Sequence, residues 1–175
     1  IFSSALNLVG YFQVIVEYGF NLSGARKVAI AKDKNEISSI LSRITVSKLL
    51  LCMVTFVLMV FISMFLNLTR VQISCMIILY SMVIGTAIQQ TWLFHGLQVM
   101  KYITIVSVIA RTTSVLLIFL FIKNTNQVLL YCSLYALTYL LMGIISSILV
   151  RFKLNIHMNR VTINDVFLEI KDGWY

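Results

Sequence analysis

Tyr102-Ile103-Thr104-Ile105-Val106-Ser107-Val108-Ile109-Ala110-Arg111-Thr112-Thr113-Ser114-Val115-Leu116-Leu117-Ile118-Phe119-Leu120-Phe121-Ile122 holds a single charged side chain. A hydrocarbon core of about 30 Å is crossed by about 20 helical residues, so this stretch reads as a transmembrane helix. Four further runs meet or approach that length: 2–22, 40–66, 72–94 and 128–150. The fold class is therefore all-α, a polytopic membrane helical bundle with five spans. The chain contains no proline, so these helices are expected to run without internal breaks.

The composition agrees. Hydrophobic residues make up 60% of the chain and charged residues 11%, with a mean hydropathy of +0.96. A soluble domain carries about 25% charged residues. The formal net charge of +8 does not point to nucleic acid, because the basic residues sit between apolar runs, as membrane-flanking charges do. Arg26, Lys27, Lys32 and Lys34 fall in 23–39, Lys101 ends 95–101, and Arg151, Lys153, Arg160 and Lys171 follow 151. Loops 67–71 and 123–127 carry one basic residue each, Arg70 and Lys123. Basic loops face the cytoplasm, which puts 23–39, 95–101 and the tail 151–175 inside and the other two loops outside. Segment 23–39 reads as a helical extension of its neighbours or as an interfacial helix. Stretch 161–172 reads as a surface helix whose Asp165, Glu169 and Asp172 form a solvated face.

Signals for soluble chemistry are weak. Cys52, Cys75 and Cys132 lie in separate apolar runs and read as small buried apolar residues. His95 and His157 lack metal-ligand spacing. There is no phosphate-binding glycine loop and no serine nucleophile elbow. No catalytic group, metal or organic cofactor is expected, and the chain is not read as an enzyme. The first apolar run lacks the basic start and cleavage site of a signal peptide. The chain opens on Ile1 rather than Met and is expected to be a fragment.

The informative residues are polar groups at depth. A charge placed mid-membrane costs about 2.5–3.5 kcal/mol on insertion scales, so it usually faces protein or a wet cavity. Arg111 lies about nine residues from the ends of its span, hence roughly 14 Å deep. It shares a face with Thr104, Ser107 and Ser114. A cavity-facing arginine competes here with an ion pair or a helix–helix contact. Glu17 shares a face with Ser3, Asn7, Gly10, Gln13 and Asn21. Lys48, in line with Thr45 and Cys52, is expected to snorkel its ammonium to the cytoplasmic headgroups. Gln89 and Gln90 add uncharged polarity near the end of the third span. One polar stripe per helix is what helices around a shared hydrated cavity should show, with Arg111, Glu17, Lys48, Asn7, Gln89 and Ser107 as candidate substrate contacts. A cavity carrying Arg and Lys attracts phosphate or carboxylate.

Two stretches resemble a known family. Glu17-Tyr18-Gly19-Phe20-Asn21-Leu22-Ser23, then Ala25-Arg26 and Val28-Ala29, is one. Trp92-Leu93-Phe94-His95-Gly96-Leu97-Gln98-Val99-Met100-Lys101-Tyr102, then Ile109-Ala110-Arg111, is the other. Both look like signatures of bacterial polysaccharide-unit (O-antigen) flippases of the Wzx type, within the multidrug/oligosaccharidyl-lipid/polysaccharide exporter superfamily. Lys171-Asp172-Gly173-Trp174 resembles the element before that family's seventh span. The sequence departs from the pattern at His95, Gln98 and Gln90, which stand where Gln, Glu and Pro are common; the last suggests a different local kink. The resemblance implies a partial N-terminal bundle, about half of a two-bundle transporter, with 151–175 leading to a further span. It also implies flipping of undecaprenyl-diphosphate-linked repeat units across the bacterial inner membrane by alternating access, with H+ or Na+ as candidate coupling ion. Expected partners are the lipid-linked oligosaccharide, membrane lipids and other polysaccharide assembly proteins. The alternatives are a drug/cation antiporter of the same superfamily, a membrane glycosyltransferase or polymerase, and a non-transporting assembly subunit.

Overall fold

In a computed structural model of the chain, the residues described are 2–17, 19–66, 68–123, 127–159 and 161–172. Tyr18, Asn67, Asn124–Asn126, Arg160 and Gly173–Tyr175, on which parts of the motifs and loops above fall, lie outside them. The described residues form eight helices: α1 Phe2–Glu17, α2 Phe20–Ile30, α3 Lys34–Phe65, α4 Arg70–Ile88, α5 Thr91–Gly96, α6 Lys101–Phe121, α7 Val128–Lys153 and α8 Ile163–Asp172.

The all-helical reading holds, with a slightly different span count. Among the described residues, four stretches are long and apolar enough to cross a membrane: Lys34–Phe65, Arg70–Gly96 (counting α4 and α5 together), Lys101–Phe121 and Val128–Lys153. The fifth expected span, 2–22, is divided. α1 runs from Phe2, the first described residue, to Glu17. α2 then starts afresh from Gly19, whose φ of −88° and ψ of 2° lie outside the helical basin.

The expectation of unbroken helices also fails at Gln89–Gln90. Gln89 turns to an extended ψ of 130°, and Gln90 adopts φ −107°, ψ 46°. Freed backbone groups in a membrane protein need new partners, and α7 supplies them. The Gln90 amide N–H donates to Ser146 Oγ at 3.1 Å, and the Ser146 hydroxyl returns a bond to Gln90 Oε1 at 3.3 Å. Gln90 Nε2 also donates to Ser147 Oγ at 3.3 Å. Two serines thus permit a break that has no proline.

Segment 23–39 resolves into two parts. Residues from Lys34 extend α3, whereas Phe20–Ile30 is a separate helix that lies against α5 and α3. Thr69 opens α4 with a reciprocal capping box: its N–H donates to Gln72 Oε1 at 2.9 Å while its hydroxyl accepts from the Gln72 N–H.

The long helices pack in the order α1–α4–α7–α6, with α3 against both α1 and α4. Lipid tails are as apolar as leucine, so close packing rather than apolar burial joins such helices. The α4–α7 seam uses glycine for that purpose. A Cβ on Gly85 would stand 2.5 Å from the Tyr139 carbonyl, and one on Gly143 2.7 Å from the Gly85 oxygen. The core has two main parts. Val9, Phe12, Val16, Met59, Leu79 and Val83 fill the space between α1, α3 and α4. Phe20, Val28, Ile44, Trp92, Phe94 and Val150 fill the end where α2 and α5 meet α3 and α7.

α2, α5 and α8, which lie in or beside the three basic segments, gather at that same end. α8 docks on α3 and α2 rather than standing in solvent. Lys27 Nζ meets Glu169 at 2.7 Å and Asp172 at 3.2 Å, and Arg43 meets Asp165 at 3.7 Å. Glu169 is buried. The expected solvated acidic face is therefore a docking face, because its counter-charges lie on α2 and α3. The tail before it is pinned by the Asn159 N–H, which donates to Ser42 Oγ at 2.7 Å.

The turn from α5 to α6 places Gln98 at φ 57°, a left-handed conformation that favours glycine. The Val99 N–H reaches back to the Phe94 carbonyl at 3.0 Å, which closes the end of α5 in the manner of a Schellman motif. Gln98→Gly should raise thermal stability in detergent by about 0.5–1 kcal/mol, since the side chain's strain is removed. An unchanged or lowered melting temperature would count against that turn geometry.

Candidate functional site

Tyr131, Tyr135 and Tyr139 recur every fourth residue along α7, so their side chains rise one above another on a single face. Neighbouring ring centroids are 6.4 Å and 5.6 Å apart. The Tyr135 and Tyr139 hydroxyls share a hydrogen bond of 3.3 Å. Phe2 of α1 packs edge-on against Tyr131 at 4.8 Å and Tyr135 at 5.5 Å. The rings are half-buried and held from the side by these contacts. Sequence reasoning passed over them, although the four-residue repeat was there to be seen.

A cleft opens on each side of this ladder. Between α1 and α7 lies a space of about 410 Å³ lined by Asn7, Gly10, Gln13, Met82, Tyr135 and Tyr139, among others. Between α6 and α7 lies one of about 420 Å³ lined by Arg111, Ser114, Tyr131, Tyr135, Thr138 and Tyr139, among others. Tyr135 and Tyr139 belong to both. Among the described residues, neither lining includes an acidic side chain.

Arg111 is exposed at the middle of α6. It has no ion pair among the described residues. The ion-pair alternative for this residue thus finds no partner among the described residues. Its expected companion Ser114 is buried and serves packing instead. The Thr138 hydroxyl donates to Ser114 Oγ, and the Ser114 hydroxyl donates to the Leu134 carbonyl at 3.3 Å. Ser107 is half-buried on α6 and lines neither cleft.

On α1, Asn7 is exposed and faces the first cleft. Glu17, the last residue of the helix, is half-buried and accepts a bond from Gln13 Nε2 at 3.3 Å. Lys48 does not snorkel. It is 1% exposed, enclosed within the bundle on the face of α3 that carries Thr45, Cys52 and Thr55. The charged group acting on it is Glu17, beyond direct ion-pair distance. The reason is tertiary: α3 turns this face toward α1 and α4 rather than toward headgroups. Gln89 caps α4, half-buried and outside both clefts.

The fold thus brings Asn7 and Arg111 to opposite flanks of one tyrosine ladder. It joins Glu17 to that region through Gln13 and leaves Lys48, Gln89 and Ser107 away from the clefts. Two neighbouring clefts stand where the stripes suggested one cavity.

No solved structure matches the chain. A protein of Shigella dysenteriae named "Putative O-antigen transporter" is 32% identical over 165 residues, covering 92% of this chain. One of the same name from Escherichia coli (strain K12) is 27% identical over 169 residues, covering 94%. The chain spans 40% of the length of each of these relatives. The family described as "Polysaccharide biosynthesis protein" matches residues 1–175, so the multi-pass helical chain with a tyrosine ladder between two clefts belongs to the polysaccharide biosynthesis protein family.

Proposed function

We propose that this chain forms part of a transporter that flips lipid-diphosphate-linked polysaccharide repeat units across the bacterial inner membrane by alternating access. The observation that carries the reading is Arg111, exposed at mid-helix beside an open cleft with no ion pair among the described residues. A cation at that depth is costly unless something compensates it. A diphosphate headgroup would do so through charge-assisted hydrogen bonds. Binding near the bilayer midplane is common among alternating-access transporters. The names of the two relatives support the same substrate class. The absence of acidic side chains from both cleft linings favours an anionic cargo over a drug cation. The end bearing α2, α5 and α8 would face the cytoplasm, since it carries Arg26, Lys27, Lys101 and Arg151. Glu17, which accepts from Gln13 and acts electrostatically on Lys48, is the candidate carrier for a coupling proton or Na+.

The test is complementation of cells that lack their own O-antigen transporter, using the intact protein. Arg111→Ala should lower surface display of the polysaccharide at least tenfold while membrane protein level stays unchanged, and Arg111→Lys should retain part of it. Full display with alanine at 111 would remove the arginine from the mechanism.

A further inference from the structure

The two clefts differ in chemistry although they share a wall. The α6 flank offers a guanidinium, Arg111. The α1 flank offers two amides, Asn7 and Gln13, and no charge. Between them stand the Tyr135 and Tyr139 rings. Because their hydroxyls bond to one another, one phenolic hydrogen is used between them and one remains for an outside acceptor. The floor of the α1 cleft is clear: a Cβ added to Gly10 would meet nothing within 4 Å. Both volumes fall within the range of small-ligand pockets, about 300–1,000 Å³.

A diphosphate requires cations and finds none on the α1 flank. A pyranose ring requires something else. One of its faces is rich in C–H bonds and packs against an aromatic face. Its rim of hydroxyls pairs with amides and phenols. Tyrosine suits this because it presents a large flat surface with only two side-chain torsions to fix. Here the edge-on contacts of Phe2 with Tyr131 and Tyr135 already restrain the ladder.

We propose that the site is divided. The α1 cleft, walled by Tyr135 and Tyr139 and edged by Asn7 and Gln13, is a sugar subsite, and the Arg111 cleft across the ladder holds the diphosphate. The proposal rests on the lipid-linked substrate reading above and adds where each part of that substrate lies. The ladder is a divider whose two sides address the glycan and its anchor separately.

Binding to the intact transporter in lipid nanodiscs tests it with two probes. One is undecaprenyl diphosphate. The other is the lipid-diphosphate-linked repeat unit extracted from cells that lack the transporter. Gly10→Leu fills the α1 cleft from a position with free space around it. It should weaken the sugar-bearing probe about tenfold, the size of one or two aromatic contacts, and leave the bare lipid diphosphate unchanged. Tyr135→Leu with Tyr139→Leu removes the wall common to both clefts and should weaken the sugar-bearing probe more than the bare lipid diphosphate, whereas Tyr139→Phe should keep most of the binding. Arg111→Ala should weaken both probes by a similar factor. Equal losses for both probes in Gly10→Leu, or no loss for the sugar-bearing one, would overturn the division while leaving the transport reading intact. A wild-type protein that binds neither probe would overturn both.

Discussion

Gly85→Ala should leave little folded protein in the membrane, with a loss of about 3 kcal/mol, and Gly85→Leu should lose more than about 4 kcal/mol. The added Cβ would meet the Tyr139 carbonyl carbon and oxygen at 2.5 Å and the Leu140 nitrogen at 2.7 Å. These are backbone atoms of a helix interior, which cannot rotate aside as a side chain can. The helices would have to separate, and in lipid no apolar burial compensates for lost close packing. Gly143 lies on the other side of the same seam, and its Cβ would strike the Gly85 oxygen. Gly143→Ala should therefore resemble Gly85→Ala, and the double variant should cost less than the sum, since one separation relieves both clashes. Gly10→Ala is the control, with nothing within 4 Å, and its melting temperature should match wild type. Thermal melting of tagged protein in detergent reads all five. Wild-type melting by Gly85→Ala would mean that α4 and α7 do not meet backbone to backbone.

The second large effect concerns Lys48. Lys48→Glu should destabilise the protein by several kcal/mol. A buried carboxylate would replace a buried ammonium, and it would repel Glu17 where the lysine attracts it. Lys48→Met should be neutral or stabilising, because a linear apolar side chain of similar length removes the burden of a buried charge. The exchange Lys48→Glu with Glu17→Lys should recover part of the loss, and the shortfall from additivity measures the coupling between the two sites. Melting curves of the two single variants and the exchange decide it. If Lys48→Glu were as stable as wild type, the side chain at 48 would have to reach water.

What the sequence revealed divides along the range of the interactions concerned. Long apolar runs need no partner to be recognised, so the helices Lys101–Phe121 and Val128–Lys153 were legible nearly to the residue. Arg111 was legible too, because a charge in the middle of such a run is anomalous whatever surrounds it. Three of the misreadings required a distant residue. The break at Gln89–Gln90 carries no proline, and its acceptors and donors are Ser146 and Ser147 on α7. Lys48 looked free to snorkel because nothing local shows that α3 turns that face inward. Glu169 looked solvated because its partner is Lys27, 142 residues away. The division of 2–22 into α1 and α2 had a local mark in Gly19, but a single glycine does not by itself end a helix. The tyrosine ladder is a different kind of miss. Its spacing was plain, yet aromatic residues in an apolar run count equally toward hydropathy, which conceals the face they share.

The Gly85 seam and the Gln89 elbow lie one helical turn apart, about 6 Å along the axis. A backbone-to-backbone contact thus adjoins a break in the helix. Past the elbow, α5 leans on α2, where Gly96 and Gly24 admit Val28 and Trp92. The lower foot is consequently bolted to a different neighbour from the shaft above it. A displacement of α5 with α2 would therefore be taken up at Gln89–Gln90 rather than along α4, which Gly85 holds backbone to backbone against α7.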